Sequence, residues 1–261
     1  MQVFKRVVVF VYGVVAYVAF FATFLYAVGF IGNFVVPKSM DSPSRTPFLT
    51  ALAIDALLLG IFAVQHSLMA RPWFKRAWTR IVPEPAERST YVLFSSLALI
   101  ALFIFWQPLG GTVWDIQNHT ARTLMYNVYF FGLALVLVAT FLINHFDLFG
   151  LRQVWLYLVG KPYTHLAFRT PLFYKYIRHP LYLGWMLAFW ATPRMTGAHL
   201  LFAVMTTAYM LVAVRWEEKD LIMFHGAKYA RYRESVPMIL PSTQPYREKE
   251  SRRPYIADSV A

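Results

Sequence analysis

Cysteine is absent from the 261 residues. That excludes a disulfide framework, a thiolate nucleophile, an iron-sulfur cluster and a Cys-ligated zinc site, so any covalent or metal chemistry must use other side chains. Charge is scarce as well: 15% of residues are charged, while 58% are hydrophobic and 18% aromatic. An average soluble domain carries roughly 25% charged residues. A soluble globule is excluded. Glycine (12) and proline (15) are ordinary in number, and no low-complexity tract or fixed internal period is visible, which sets aside disordered and repeat architectures. Acidic residues number 13 against 25 Lys and Arg, a net charge of +12. In a chain this apolar the cations are read first against the membrane.

Residues 7–34 carry no charge, a run of about 28 residues where ~20 cross a hydrocarbon core. The run exceeds a signal-peptide core, and no small-x-small site precedes the polar stretch 37–47, so the start of the chain is expected to be retained. Residues 48–70, interrupted by Asp55 and His66, form a second span; 89–114 contain a third and 123–144 are a fourth. Residues 181–214 read as two apolar runs joined at Pro193-Arg194, ~51 Å of helix where two crossings need ~60 Å. A tilted or partly re-entrant helical hairpin is expected there. The fold class is therefore all-α: a polytopic integral membrane helical bundle of about six membrane helices, including the C-terminal hairpin.

With the N-terminus inside, two Lys and Arg precede the first span, five lie in 71–88, five in 152–178 and nine from Arg215 onward, so 21 of 25 fall on the inner side. Lys38, Arg45, Arg122 and Arg194 fall outside. The positive-inside bias then puts both termini in the cytoplasm. Topology and attraction to anionic lipid, roughly 1 kcal/mol per cation near the surface, account for the excess charge, and no nucleic acid is needed. The tail from residue 243 is polar and mixed in charge, and is expected to be loosely attached.

Ionisable groups forced toward the apolar layer are the first place to look for function, and they gather on one side. His66 lies about one turn from the inner end of the second span, and His145 with Asp147 at the inner end of the fourth. Arg178-His179-Pro180 immediately precedes the hairpin, and Glu217-Glu218 follows it. Taken singly, each has an ordinary structural reading. Arg178 snorkels, His179 caps a helix that Pro180 starts, and the glutamates pair with Arg215, Lys219 or Arg231. Together, an Arg-His pair and a Glu-Glu pair at adjacent helix ends supply donors for a carboxylate or phosphate and acceptors for an ammonium or ribose hydroxyls. A zwitterionic small molecule needs both. Asp55, three turns before His66 on the same face, belongs to a polar seam between helices or to the site. His66 sits near the water-accessible end, where an unperturbed pKa of about 6.5 suits proton transfer. Trp155, Tyr157, Tyr163, Phe168 and Phe173 form an interfacial belt or close over an apolar substrate.

The run Arg178-His179-Pro180-Leu181-Tyr182-Leu183-Gly184, then Glu217-Glu218, then Gly226-x-x-Tyr229-x-x-Tyr232-x-x-x-Val236-Pro237 resembles the integral-membrane methyltransferases related to isoprenylcysteine carboxyl methyltransferase and the phospholipid N-methyltransferases. The resemblance covers residues 170–241. It implies S-adenosyl-L-methionine bound at the cytoplasmic face, with Tyr174, Arg178, His179, Tyr182, Gly184, Glu217 and Glu218 lining its pocket. Gln65-His66-Ser67-Leu68-Met69-Ala70-Arg71-Pro72 and Asn144-His145-Phe146-Asp147-Leu148-Phe149-Gly150-Leu151-Arg152-Gln153 are similar to the methanethiol S-methyltransferases and the related NnrU-like membrane proteins. This extends the resemblance over nearly the whole chain. Pro193-Arg194 departs from many relatives.

The resemblance implies S-methylation of a small volatile thiol, methanethiol to dimethyl sulfide, in a bacterial inner membrane with the active site facing the cytoplasm. His66, His145 and His179 are then the catalytic candidates, with His66, Asn144 and Tyr229 at the substrate. Residues 1–165 form the acceptor side, 166–241 the cofactor-binding segment and 242–261 a polar tail. Methyl transfer from a sulfonium needs the reactants held in line in a dry pocket and no metal. The expected partners are the thiol and the lipid bilayer, and no obligate protein partner is inferred. Two alternatives stay open: methylation of a lipid or prenylated acceptor, and a non-catalytic NnrU-like membrane protein.

Overall fold

The computed structural model of the protein describes residues 2–43 and 45–247. Four long helices come first in this part of the chain: α1 (Gln2–Gly32), α2 (Phe48–Ala70), α4 (Glu87–Phe105) and α5 (His119–Ile143), with the short α3 (Pro72–Trp78) between α2 and α4. Then follow α6 (His145–Leu148), α7 (Leu151–Leu158), α8 (Pro180–Trp190), the long α9 (Gly197–His225) and α10 (Ala227–Ser235). Two short strands, β1 (Thr112–Asp115) and β2 (Arg194–Thr196), pair antiparallel. The class is all-α, as expected.

Among the described residues, five helical stretches are long and apolar enough to cross a membrane: Gln2–Gly32, Phe48–Ala70, Glu84–Phe105, His119–Ile143 and Gly197–His225. On α1, Val8, Val11, Val15, Val18, Phe21 and Leu25 are exposed at three- and four-residue spacing, a stripe facing lipid where a soluble helix would show charge. The short arm of the expected hairpin is not among the spanning stretches. The hairpin has one long arm, α9 with 29 residues, and one short arm, α8 with 11; at 1.5 Å per residue α8 is only ~16 Å long. Its depth is fixed at Pro193-Arg194, where Arg194 pairs with Asp115 and Ile116 N–H donates to Pro193 O at 2.9 Å. The strand pair thus caps the end of the bundle opposite the polar clusters.

The short arm is tightly seated. A Cβ at Gly184 would stand 2.6 Å from Gly132 O, and one at Gly132 would stand 2.6 Å from Gly184 O, so only two glycines allow α5 and α8 to cross this closely. Pro180 occupies the first turn of α8, where the missing N–H costs no helical bond. At the other end of the hairpin, Gly226 (φ 56°, ψ −138°) turns α9 into α10, a backbone region open in practice to glycine alone.

The start of the tail is not loose. Arg178 N–H and His179 N–H donate to Pro237 O (3.0 Å) and Met238 O (3.2 Å), and Tyr246 N–H donates to Lys175 O (2.8 Å), so residues 237–246 run along 175–179. Backbone bonding, which composition does not reveal, overrides the polar character of 243–247. The remainder of that tail, 248–261, lies outside the described residues.

Candidate active site

The residues on both sides of the hairpin meet. His179 ends its irregular segment just ahead of Pro180, and its Nε2 lies 2.9 Å from Glu218 Oε1 on the last third of α9. Arg178 reaches the same oxygen, Nε to Oε1 at 3.0 Å, as a charge contact rather than an aligned hydrogen bond. Its NH1 group donates to Arg233 O on α10 at 2.6 Å. One turn into α8, Tyr182 donates its hydroxyl to Glu217 Oε2 at 2.7 Å. Adjacent glutamates point apart on a helix, so each serves a different neighbour. Glu218 is buried in the Arg178-His179 knot, while Glu217 lines an open cleft. Arg178 and His179 therefore do not present free donors, as the sequence alone suggested; both are turned onto Glu218.

Tyr229 and Tyr232 on α10 close this corner from behind, with Phe168 against both rings (5.6 and 5.3 Å between centroids). Tyr232 donates to Tyr174 O at 2.6 Å, so the Tyr174 backbone is structural, while its ring stands within electrostatic reach of Glu217. Tyr229 is buried and its hydroxyl has no hydrogen-bond partner among the described residues. Burial raises the Tyr229 phenol above its ordinary value, keeping it a donor without an acceptor beside Glu218. Such an orphaned group in a buried site calls for a ligand or a water. Gly184 supports the site from the α5 side, through the glycine crossing rather than by facing the cleft.

A second polar group adjoins this one. On α2, His66 is edged by the Tyr91 hydroxyl of α4 (2.8 Å to Nε2) and the Ser95 hydroxyl (3.1 Å to Nδ1), with Phe62 stacked on its ring at 5.2 Å. Ser67 and Tyr209 of α9 share a hydrogen bond of 3.0 Å. Phe62 also meets the Tyr209 ring at 6.4 Å. The two groups adjoin through Arg88, which stacks 5.0 Å over the Tyr91 ring and lines the same cleft as Glu217. Neither Tyr91 nor Tyr209 was singled out from the sequence, because a tyrosine inside an apolar run looks like any other aromatic there.

His145 stands apart from the glutamates. The Thr140 hydroxyl donates to Leu137 O (2.7 Å), so at 2.9 Å from His145 Nδ1 its oxygen accepts. Nδ1 then carries the proton, and Nε2 accepts from the Tyr17 hydroxyl at 2.8 Å. Both ring nitrogens are taken, Phe141 stacks on the ring at 4.3 Å, and burial lowers the His145 pKa. His66 has both nitrogens engaged as well; what sets His145 apart is that its partners, Tyr17, Thr140, Phe141, Phe146 and Phe149, include none from α8, α9 or α10. Asn144 is likewise engaged: at φ 154° it links α5 to α6, and its side-chain oxygen accepts from Asp147 N–H at 3.1 Å. Asp147 pairs with Arg152 at 2.8 Å. These residues hold the loop that leads to Phe149, which packs beside Tyr91. Asp55 lies elsewhere in the bundle, accepting from Gln107 N–H at 2.8 Å, which favours the reading as a polar seam.

The cleft beside Glu217 has a volume of about 470 Å³ and is walled by α3, the start of α4 and the last turns of α9. Cations and carboxylates both line it, Lys75 and Arg88 among the first, Glu217 and Asp220 among the second.

Comparison with known proteins decides the chemistry. The chain is 58% identical over 237 residues to the methanethiol S-methyltransferase of Crocosphaera subtropica, spanning 91% of this chain and 93% of that protein. It is 48% identical over 237 residues to the methanethiol S-methyltransferase of Mycobacterium tuberculosis, at 91% and 97% coverage. It is also 48% identical over 250 residues to methanethiol S-methyltransferase 2 of Bradyrhizobium diazoefficiens, at 96% of each. The chain belongs to the methanethiol S-methyltransferase family. No protein-family model and no solved structure matches it. Membership makes the chain a methyltransferase with several membrane helices, and a methyltransferase uses a methyl donor. The residues present fit a zwitterionic one: a cleft with both charge signs on its walls, and, on α10, a buried Tyr229 hydroxyl without a hydrogen-bond partner among the described residues.

Proposed function

We propose that this protein transfers a methyl group from S-adenosyl-L-methionine to a small volatile thiol, converting methanethiol to dimethyl sulfide. The observation that carries the reading is the junction of two polar groups at one end of the bundle, Tyr182-Glu217 from the hairpin and His66-Tyr91 from α2 and α4. A donor and an acceptor need adjacent stations held by different helices, and this junction offers both. The names of the relatives supply the thiol.

When bound, the donor supplies an electrophilic methyl group on a sulfonium. The chain's own work is positioning and proton removal. Glu217, fixed by the Tyr182 hydroxyl, accepts from the ammonium or ribose hydroxyls, and the Tyr229 hydroxyl donates to the same molecule. Arg178, His179 and Glu218 form the rigid wall behind, each held by the others, so that the donor meets a preorganised surface. The thiol must lose its proton, because the thiolate is the nucleophile. His66 takes that proton, directly or through the Tyr91 hydroxyl. The new bond joins the acceptor sulfur to the methyl carbon as the donor's sulfur-methyl bond breaks, and a neutral thioether leaves on each side. Phe62, Phe20 and Phe149 keep water from the thiolate.

Residues 1–165 supply the acceptor side and 166–241 most of the donor side. The sequence's positive-inside bias, with 21 of 25 cations in segments assigned to the inner side, supports a cytoplasm-facing site in a bacterial inner membrane. The test is purified protein given labelled S-adenosylmethionine with methanethiol, longer alkyl thiols and membrane lipids in parallel. Headspace dimethyl sulfide is expected, with only modest discrimination, roughly 10 to 200-fold, against one added methylene. A labelled lipid with no volatile product contradicts the thiol reading.

A further inference from the structure

Resting on the donor reading above, we propose that the cleft between α3 and α9 takes the amino-acid end of the methyl donor, with Lys75 and Arg88 receiving its α-carboxylate and Glu217 its ammonium group. The usual candidates for the carboxylate are already engaged: Arg178 and His179 both lie on Glu218, and Arg178 also donates to Arg233 O. Bringing them onto a ligand would strip a buried glutamate of its partners. Cations must come from another element, and the cleft supplies them.

Lys75 is half-buried on α3, and among the described residues no carboxylate lies within ion-pair distance of its Nζ. The acid nearest in the cleft, Asp220, is held by Arg71 at 3.2 Å. Burial first, and then the neighbouring Arg88, lower the Lys75 pKa, against the opposing pull of Glu87 and Asp220. Arg88 is aimed: its Nε donates to Leu148 O at 2.7 Å and its guanidinium stacks 5.0 Å over the Tyr91 ring, leaving its NH groups for a ligand. Across the cleft stands Glu217. Cations on one wall and a carboxylate on the other match the two charges that an α-amino acid carries on one carbon. The same Arg88 lies on Tyr91, which touches His66. A molecule anchored there by its amino-acid end has its sulfur a few bonds away, toward Tyr182 and the acceptor side.

The test is equilibrium binding to the full chain in lipid nanodiscs, without turnover, of S-adenosylmethionine and of its decarboxylated analogue. Wild type should prefer the intact donor. Lys75→Gln should weaken the intact donor by on the order of 10-fold, as for one charge-assisted contact, and leave the decarboxylated analogue unchanged; Lys75→Arg should restore the preference. Thermal unfolding of Lys75→Gln should stay close to wild type, since among the described residues no carboxylate forms a close ion pair with the side chain. If wild type binds the donor and Lys75→Gln weakens both ligands equally or neither, the carboxylate assignment is overturned while the donor reading stands. If wild type binds neither ligand, both fall together.

Discussion

Glu217 and Glu218, neighbours in sequence, serve opposite sides of one helix: the first accepts from Tyr182 at 2.7 Å on the edge of a cleft, the second is buried against His179 at 2.9 Å. A pair that looks redundant in the sequence is thus divided into a ligand-facing acid and a framework acid. The two should respond differently to mutation.

Glu218→Ala should destabilise the whole site end. The Arg178 and Glu218 side chains are only 11% and 10% exposed, and removing one partner of a buried pair costs about 3–5 kcal/mol because the other charge is left unpaired. A large fall in thermal unfolding temperature in detergent is expected, whereas Glu217→Ala, at the open cleft, should cost under about 1 kcal/mol. Equal losses would contradict the division of roles.

Gly184→Ala should separate α8 from α5. The added carbon would meet the Gly132 carbonyl at 2.6 Å, a backbone atom that cannot rotate away, and overpacking of this kind costs about 1–3 kcal/mol. Because His179 and Tyr182 ride on α8, donor affinity should fall with stability. Unchanged unfolding and binding would show that the two helices yield more readily than their packing implies.

Tyr91→Phe removes the hydroxyl beside His66 and nothing from the donor cleft. Donor affinity should stay at the wild-type value, while single-turnover methyl transfer slows by about 10-fold or more if the hydroxyl carries or orients the proton. A variant with weakened donor binding and undiminished transfer would place Tyr91 on the wrong side of the site.

Acid should loosen the loop at His145. Its folded pKa is lowered from 6.5 by burial, so as pH falls below that value the unfolded chain binds a proton that the folded chain refuses. Stability then declines with falling pH until the lowered folded value is passed. His145→Gln should flatten that decline in thermal unfolding between about pH 7 and about pH 5. Parallel curves for wild type and variant would contradict the assignment.

Much of this architecture was legible in the sequence, for a physical reason: a bilayer demands long apolar helices, and such runs cannot hide. The meeting of Arg178-His179 with Glu217-Glu218 was legible too, since a hairpin returns the chain to the level it left. That the hairpin falls short of two full crossings was legible from its length, but which arm is the short one was not. Leu181 onward is apolar enough to span, and only the β1-β2 pairing, set by backbone bonds far along the chain, stops α8 after 11 residues. Lys75 and Arg88 read as topology-setting cations because their count, rather than their position, carried the signal. Which glutamate faces the ligand, and that both nitrogens of His145 are taken, depend on side-chain directions that spacing alone does not give.

The central claim is that one site has a donor half on Glu217 and an acceptor half on His66. Donor affinity and single-turnover methyl transfer to methanethiol, measured together on Glu217→Gln and His66→Ala, test it most directly. The account predicts a split: Glu217→Gln binds S-adenosylmethionine about 10-fold more weakly, as for loss of one charged contact, while His66→Ala binds it normally and transfers at least about 100-fold more slowly. Full-rate transfer by His66→Ala at saturating donor, or unaltered binding by Glu217→Gln, would contradict it.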